Sequence, residues 1–400
     1  MNISKADAID NSEIIETINE TNRKLASIQV IQELRPIAGA DKIVVATMED
    51  LGWECVVKKG EFNIGDKIVY IEVDSICPQK PEFEFLRERK FRVKTIKLRK
   101  QISSGLIVPL SVLPDNANCY APKKGDDVTA LIGITKHDPE GKAEQALIEK
   151  ERRSPLMRFA MGIPAFRWVY LKLNEKNKGN FPQWMKKSDE TRIQVCAKYM
   201  MEHYNEEWEI TEKLDGQSHS AFVHPMKVWG FNKKVFGVCS RSIWLKTPNS
   251  SKYWETARKY NLEAALSKEG KDVYIQSEQC GPGIQANKYK LTETELYVFN
   301  LVVGGRKLSY PYILGFCKDN GLKPVPLVHG SFIPKVEIGE NKSVMEVVGF
   351  MVALSQGHSA LLDRPREGIV CRLKSNPEIS LKVINPLFKM EQEAEEDKDE

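Results

Sequence analysis

The chain has 400 residues, enough for two or three domains with a sizeable core. Its 42% hydrophobic and 28% charged residues are the balance of a soluble globular protein. No apolar run approaches a membrane span and no apolar signal core follows Met1, so a soluble, intracellular setting in cytoplasm or nucleus is expected. The net charge of +4 includes an acidic C-terminal run, so the rest of the chain is more basic than the total and favours a polyanionic partner over an acidic or membrane-embedded role.

In chain order, residues 1–22 read as a flexible polar leader. Residues 23–134 form a β-rich module, with strand-like runs at 24–34, 42–47, 53–57, 67–73, 94–97 and 106–110. Turn signals at Gly39, Gly52, Gly60 and Gly65-Asp66 separate most of them. Strands this short and this numerous suit an OB-like β-barrel. Its basic residues Arg89, Lys90, Arg92, Arg99 and Lys100, interleaved with Phe91, point to RNA binding by backbone tracking and occasional base stacking. The competing reading is a barrel that only supports its neighbour.

Residues 135–188 read as a basic linker, helical near 143–153 and carrying Arg152, Arg153, Arg158, Arg167, Lys172, Lys176 and Lys178. A helix is expected to start at 187–194 with Ser188 as its N-cap. From 189 to 390, helical patterns at 253–266, 311–320 and 344–355 alternate with strand-like runs. The expected class is therefore α+β, with antiparallel sheets lining a nucleotide cleft. Residues 391–400 read as an acidic disordered tail.

The chemistry centres on Lys213-Leu214-Asp215-Gly216, at the end of a run in which Glu209, Thr211 and Lys213 alternate onto one face of a strand. A lysine between carboxylates and closed by glycine suits a covalent nucleophile. Because its ordinary pKa of roughly 10.4 leaves little free amine at neutrality, something in the site must lower it. Four downstream segments offer partners: Cys239-Ser240-Arg241-Ser242, Ser277-Glu278-Gln279-Cys280-Gly281, Tyr297-Val298-Phe299, and the pair Arg366-Glu367-Gly368 with Leu381-Lys382-Val383. Viewed alone, each has a blander reading as a surface carboxylate, a solvated arginine or a core aromatic. The eight cysteines form no C-x-x-C pair and the six histidines no cluster, so free thiols in a reducing compartment are expected and structural zinc is not.

In their order and content these segments resemble the motifs of the covalent nucleotidyltransferase superfamily. The closest resemblance is to the ATP-dependent RNA ligases that carry an N-terminal OB domain, the fifth RNA ligase family. The resemblance implies that Lys213 attacks the α-phosphate of ATP to form lysyl-AMP, with Thr211 and Glu212 in the nucleotide site and Arg241 contacting a phosphate. It further implies that Glu278 accepts a ribose hydroxyl, Phe299 stacks on adenine, Glu367 binds magnesium or manganese through its water shell, and Lys382 contacts the α-phosphate. The metal, Lys382 and Arg241 would together depress the pKa of Lys213 by like-charge repulsion.

The implied partners are RNA ends, in a nicked duplex or hybrid, with no membrane and no obligate protein partner. Two departures stand out: Ile384 where a second basic residue often follows, and Gln217 where a small hydroxyl residue is expected. The rival readings are a DNA ligase or a capping guanylyltransferase with the same lysine chemistry, or a non-catalytic RNA-binding protein. Few residues follow Lys382, which leaves no room there for the C-terminal OB domain of DNA ligases and capping enzymes and favours the RNA ligase reading.

Overall fold

The structure is a computed structural model that describes residues 23–114, 122–137, 179–228, 231–245, 251–270 and 272–399. The expected leader, the helical stretch at 143–153 and the linker's seven basic residues lie outside the described residues. No helix among those described is long and apolar enough to cross a membrane.

The N-terminal domain contains β1 (Ala26–Ile37), β2 (Ala40–Met48), β3 (Leu51–Lys58), β4 (Lys67–Ile71), β5 (Ser75–Ile76), β6 (Thr95–Leu98), β7 (Gln101–Ser104), β8 (Leu106–Pro109) and β9 (Thr135–Lys136). The main sheet runs β3-β2-β1-β4-β8, antiparallel throughout, while β6–β7 and β5–β9 are separate pairs. One face of the sheet buries Ile28, Val69, Ile71 and Phe83, and the other buries Ile31, Met48, Trp53 and Tyr70, as period-2 alternation requires.

The expected barrel is corrected in one respect: among the described residues no ladder joins β8 back to β3, and the sheet stays open. The β6–β7 hairpin covers that gap by side-chain bonding, with Val56 N donating to Ser103 Oγ at 2.9 Å. Arg99 and Lys100 occupy its two-residue turn with φ of 49° and 70°, the geometry that matches strand twist in tight hairpins.

The C-terminal part begins with β10 (Gly179–Asn180) and β11 (Thr191–Arg192), then α1 (Ile193–Glu202), β12 (Trp208–Lys213), β13 (Gln217–Val228), β14 (Phe231–Cys239) and β15 (Ile243–Leu245). It continues with α2 (Lys252–Lys259), α3 (Leu262–Glu269), β16 (Val273–Cys280), β17 (Glu295–Val303), β18 (Arg306–Lys307), α4 (Tyr310–Asn320), β19 (Lys323–Pro324) and β20 (Leu327–Phe332). It ends with α5 (Val344–Ser355), β21 (Gly368–Leu373), β22 (Ser380–Ile384) and α6 (Pro386–Asp399). One sheet has the order β10-β15-β14-β13-β16-β17-β18 with β19 beside β17, and the other is β11-β22-β21-β12-β20. Helices α2, α3 and α4 pack on the first sheet; α1 and α5 pack on the second around Trp208, Ile210 and Met351.

Four expectations change. The helix expected from Ser188 starts at Ile193, because Thr191 and Arg192 pair with β22 and the Ser188 hydroxyl bonds Ser218 Oγ at 3.1 Å. Residues 179–188, assigned to the linker, belong to the catalytic sheet through β10–β15 pairing and Trp184 stacked on His224. The helix at 253–266 is two helices, broken at Asn261, which adopts a left-handed conformation. The expected disordered tail is the end of α6, which docks on the N-terminal domain: Glu393 is 3% exposed, beside Arg92, and Lys389 Nζ lies 3.1 Å from Asp74. Strand β3 also meets α5 closely, since a Cβ on Gly52 would sit 2.6 Å from Val348 Cγ2.

Candidate active site

Strand β12 runs beside β21, with Lys213 opposite Gly368, and β21 runs beside β22, with Val370 opposite Lys382. This pairing brings residues far apart in sequence into one cleft of about 230 Å³. Lys213, Thr211, Glu212, Arg241, Glu278, Phe299, Glu367 and Lys382 all line it, so every nucleotide, metal and catalytic residue expected from sequence converges there.

On the cleft face of β12, Glu209 accepts from Tyr310 N at 3.1 Å, Thr211 Oγ1 accepts from Arg372 Nη1 at 3.1 Å, and Lys213 Nζ donates to Glu367 Oε1 at 2.6 Å. The opposite face places Trp208 and Ile210 in the core. Glu212, on that face and 2% exposed, accepts from Ala360 N at 2.9 Å and ties down the loop before Glu367.

The turn after Lys213 is held from below. Gly216 N donates to Glu278 Oε1 at 3.0 Å, Asp215 N donates to Tyr289 Oη at 2.8 Å, and the Asp215 carboxylate pairs with Lys288. A Cβ on Gly216 would lie 2.5 Å from Gln279 O, so only glycine lets the turn approach β16 this closely. Of the two aromatics on β17, Tyr297 is buried and bonded to Glu295, whereas Phe299 is half-buried at the cleft. A register shift in the β16–β17 ladder leaves Phe299 without an opposing residue, a bulge of the kind that re-aims side chains at functional sites.

The electrostatics reverse one expectation. Burial favours the neutral amine of Lys213, but the carboxylates of Glu367, Glu278 and Asp215 outweigh it and hold the pKa well above the ordinary lysine range. In this metal-free state Lys213 is an ammonium paired with Glu367, not a depressed amine. Arg241 instead bonds Asp189 at 2.8 Å. Lys382, 8% exposed, helps hold Glu190: burial would raise that carboxyl, but Lys307, Arg372 and Lys382 bring it below its usual value.

Residues not singled out from sequence complete the cleft. Asp74 of the N-terminal domain is met by Arg192 at 2.9 Å, Arg92 at 3.3 Å and Lys389 at 3.1 Å. Burial would raise its carboxyl, but these three cations hold it well below the usual range. Arg192 and Lys389 reach Asp74 from the other domain, so charge is their only sequence signal.

The RNA-binding assignment divides. Arg89, Lys90, Arg99 and Lys100 are exposed, whereas Arg92 is 5% exposed and bound to Asp74, and Phe91 is 4% exposed in the core. The backbone turns inward at Lys90 and Phe91, both with positive φ, and carries the next side chains under the surface. Neither Arg92 nor Phe91 is placed to meet RNA from the open face.

The seven described cysteines are buried free thiols; burial pushes Cys77 and Cys371 up to about 12, as expected of unreactive core thiols. No group of three or more metal-ligating side chains exists among the described residues. The carboxylates of Glu367 and Glu278 still fit a hydrated hard cation, which is commonly held through one or two carboxylates plus substrate phosphates.

Residues 25–110 match an OB-fold domain family and residues 206–389 match the RNA ligase family. No curated protein matches the sequence. Among solved structures, Naegleria gruberi RNA ligase with PPi is 27% identical, with a TM-score of 0.73 over 93% of this chain and 99% of that one. A mutant of the same ligase with ATP and Mn is 26% identical at TM-score 0.72, covering 92% and 99%. Another with AMP and Mn is 26% identical at TM-score 0.71, over the same shares of the two chains.

Proposed function

The chain belongs to the RNA ligase family, and from this premise we propose that it is an ATP-dependent RNA ligase working through an AMP-lysine at Lys213. The observation that carries the reading is the convergence of Lys213, Glu278, Phe299, Glu367 and Lys382 on one cleft from four strands and a loop. In the first step Lys213 Nζ bonds to the α-phosphorus of ATP and the bond to pyrophosphate breaks. The AMP then passes to the 5′-phosphate of an RNA end. A 3′-hydroxyl displaces AMP to form the phosphodiester, the chemistry of RNA repair or end sealing.

Each residue has a physical task in this scheme. Phe299 offers a face for adenine, Glu278 an acceptor for the ribose, and Lys382 a cation for the α-phosphate, so charge is met by fixed groups at the point of transfer. Arg241, which pairs with Asp189, is the cation we assign to the incoming phosphate end. Glu367 and Glu278 would hold magnesium or manganese through water, and such an ion supplies charge neutralisation at the transferred phosphate. Lys213 reacts as the free amine, so it must give up both its proton and its contact with Glu367.

The substrate we assign is a nicked RNA duplex or hybrid, with neither a membrane nor an obligate protein partner. Incubation with α-labelled ATP followed by denaturing electrophoresis tests the first step. The expected result is a labelled protein that Lys213→Ala lacks, and label on another lysine would overturn the assignment.

A further inference from the structure

Helix α6 joins the N-terminal domain to residues on either side of Lys213. Toward that domain, Lys389 meets Asp74 at 3.1 Å and Glu393 lies 3.8 Å from Arg92. Phe388 is 4% exposed, with the Lys288 ammonium 5.1 Å and the Arg364 guanidinium 5.7 Å from its ring centroid. Lys288 is in turn the ion-pair partner of Asp215, in the turn after Lys213. At the start of the helix Asn385 is 0% exposed and closes β22 onto the segment that carries Glu367.

Both ends of the Asn385 amide are used. Its Oδ1 accepts from Leu387 N at 3.0 Å and its backbone carbonyl accepts from Lys389 N at 3.0 Å, which makes Asn385 the N-cap of α6 with Pro386 at the first helical position. Its Nδ2 donates to Arg366 O at 2.9 Å, and its backbone N donates to Glu367 O at 2.8 Å. A Cβ on Gly368 would lie 2.2 Å from Val383 O, so β21 and β22 close tightly just behind Glu367. Serine or aspartate caps a helix as well as asparagine does. Serine, however, is too short to reach the Arg366 carbonyl as well, and aspartate has no proton to give it, so the amide is the side chain that serves both tasks.

We propose that Asn385 is a positioning residue for adenylation: its amide holds the backbone that aims Glu367 at Lys213, and its cap ties that aim to the docking of α6 on the N-terminal domain. The inference rests on the ligase reading above. Glu367 Oε1 receives the Lys213 ammonium at 2.6 Å, so this carboxylate sets where the nucleophilic nitrogen waits. The loop before it is also gripped by Glu212, which accepts from Ala360 N at 2.9 Å, and by Arg366 N, which donates to Gly357 O at 3.0 Å. Of these grips, the one through Asn385 also reaches α6. Attack at phosphorus is sensitive to small displacements of the reacting atoms. Loosening the Arg366–Glu367 backbone should therefore slow transfer while leaving ATP binding to the contacts assigned to Phe299 and Glu278.

The test uses the full chain with Asn385→Ser, which keeps a capping oxygen and drops the donor to Arg366, and Asn385→Asp as a second variant of the same kind. Single-turnover labelling by ATP is expected to fall about tenfold in maximal rate, with the ATP concentration for half-maximal rate unchanged. Hydrogen exchange of the nucleotide-free protein should quicken at residues 366–368 and stay at the parent level in α6, because the cap survives. Lys389→Gln, which cuts the link to Asp74, should slow labelling in the parent and add little on top of Asn385→Ser, since both act through one connection. Parent-like labelling in the two Asn385 variants overturns the proposal, as does a loss that appears only in ATP half-saturation. Exchange that rises in α6 together with residues 366–368 would reduce Asn385 to a helix cap, and additive effects of Lys389→Gln and Asn385→Ser would sink the coupling to α6 docking. Absence of labelling in the parent counts against the ligase reading instead, and the exchange comparison then still decides whether Asn385 holds the Glu367 segment.

Discussion

Glu393 makes α6 a source of pH-dependent stability. Its carboxyl is buried beside Arg92, Lys94, Lys389 and Asp74, and burial, the largest influence, pushes its pKa up from 4.5 to about 7 despite the cations. The folded chain therefore binds this proton more tightly than the unfolded chain. The stability it contributes is fully present below about pH 4.5 and is lost as pH rises through 7. At about 1.4 kcal/mol for each tenfold in the proton equilibrium, the loss amounts to about 3 kcal/mol. Glu393→Gln is neutral throughout and keeps the shape, so it should match the parent near pH 4.5 and exceed it by up to about 3 kcal/mol near pH 8. Thermal unfolding of both proteins across that range reads the difference as a Tm gap that opens with pH to roughly 5 °C. Parallel Tm curves would refute the reasoning. A glutamine variant less stable at high pH would show that the 3.8 Å pairing with Arg92 outweighs burial.

Glu367→Ala should lose most labelling by ATP, with partial recovery in manganese, because charge neutralisation at the phosphate is worth several kcal/mol; gel quantification across metal concentrations checks it. Changing Arg89, Lys90, Arg99 and Lys100 together to Gln should weaken RNA binding and flatten its salt dependence, measured as the slope of log Kd against log salt. Arg92→Gln should act differently, lowering Tm while leaving that slope unchanged, because it strips a buried partner from Asp74. Gly216→Ala should abolish labelling by ATP and cost on the order of 1–3 kcal/mol in chemical denaturation, since its Cβ meets the Gln279 carbonyl at 2.5 Å.

The convergence of the motif segments on one cleft was legible because their strands carry their own period. Glu209, Thr211 and Lys213 had to share a face once β12 formed, and they do. The placement of α5 was equally readable, its start fixed by the Ser343–Glu346 capping box. Contacts that cross domains were not legible: nothing near Asp74 in sequence announces Arg192 or Lys389. Arg92 and Phe91 misled for a related reason, since a basic run reads as surface until the left-handed turn at Lys90 and Phe91 is known. The pairing of Lys213 with Glu367 at 2.6 Å was not legible either, because the sequence reading weighed a bound metal, Lys382 and Arg241 as its neighbours and could not rank distances.

The pairing of Lys213 with a carboxylate 154 residues further along the chain has a consequence for synthesis. At translation rates of about 5–20 residues per second, roughly 8–30 s separate the two residues at the ribosome. Through that interval Lys213 exists without its carboxylate partner, and without Lys382 on the strand beyond. On the proposed mechanism, a nascent or prematurely ended chain thus carries an inert lysine, and only a molecule translated through its last strands would be charged with AMP.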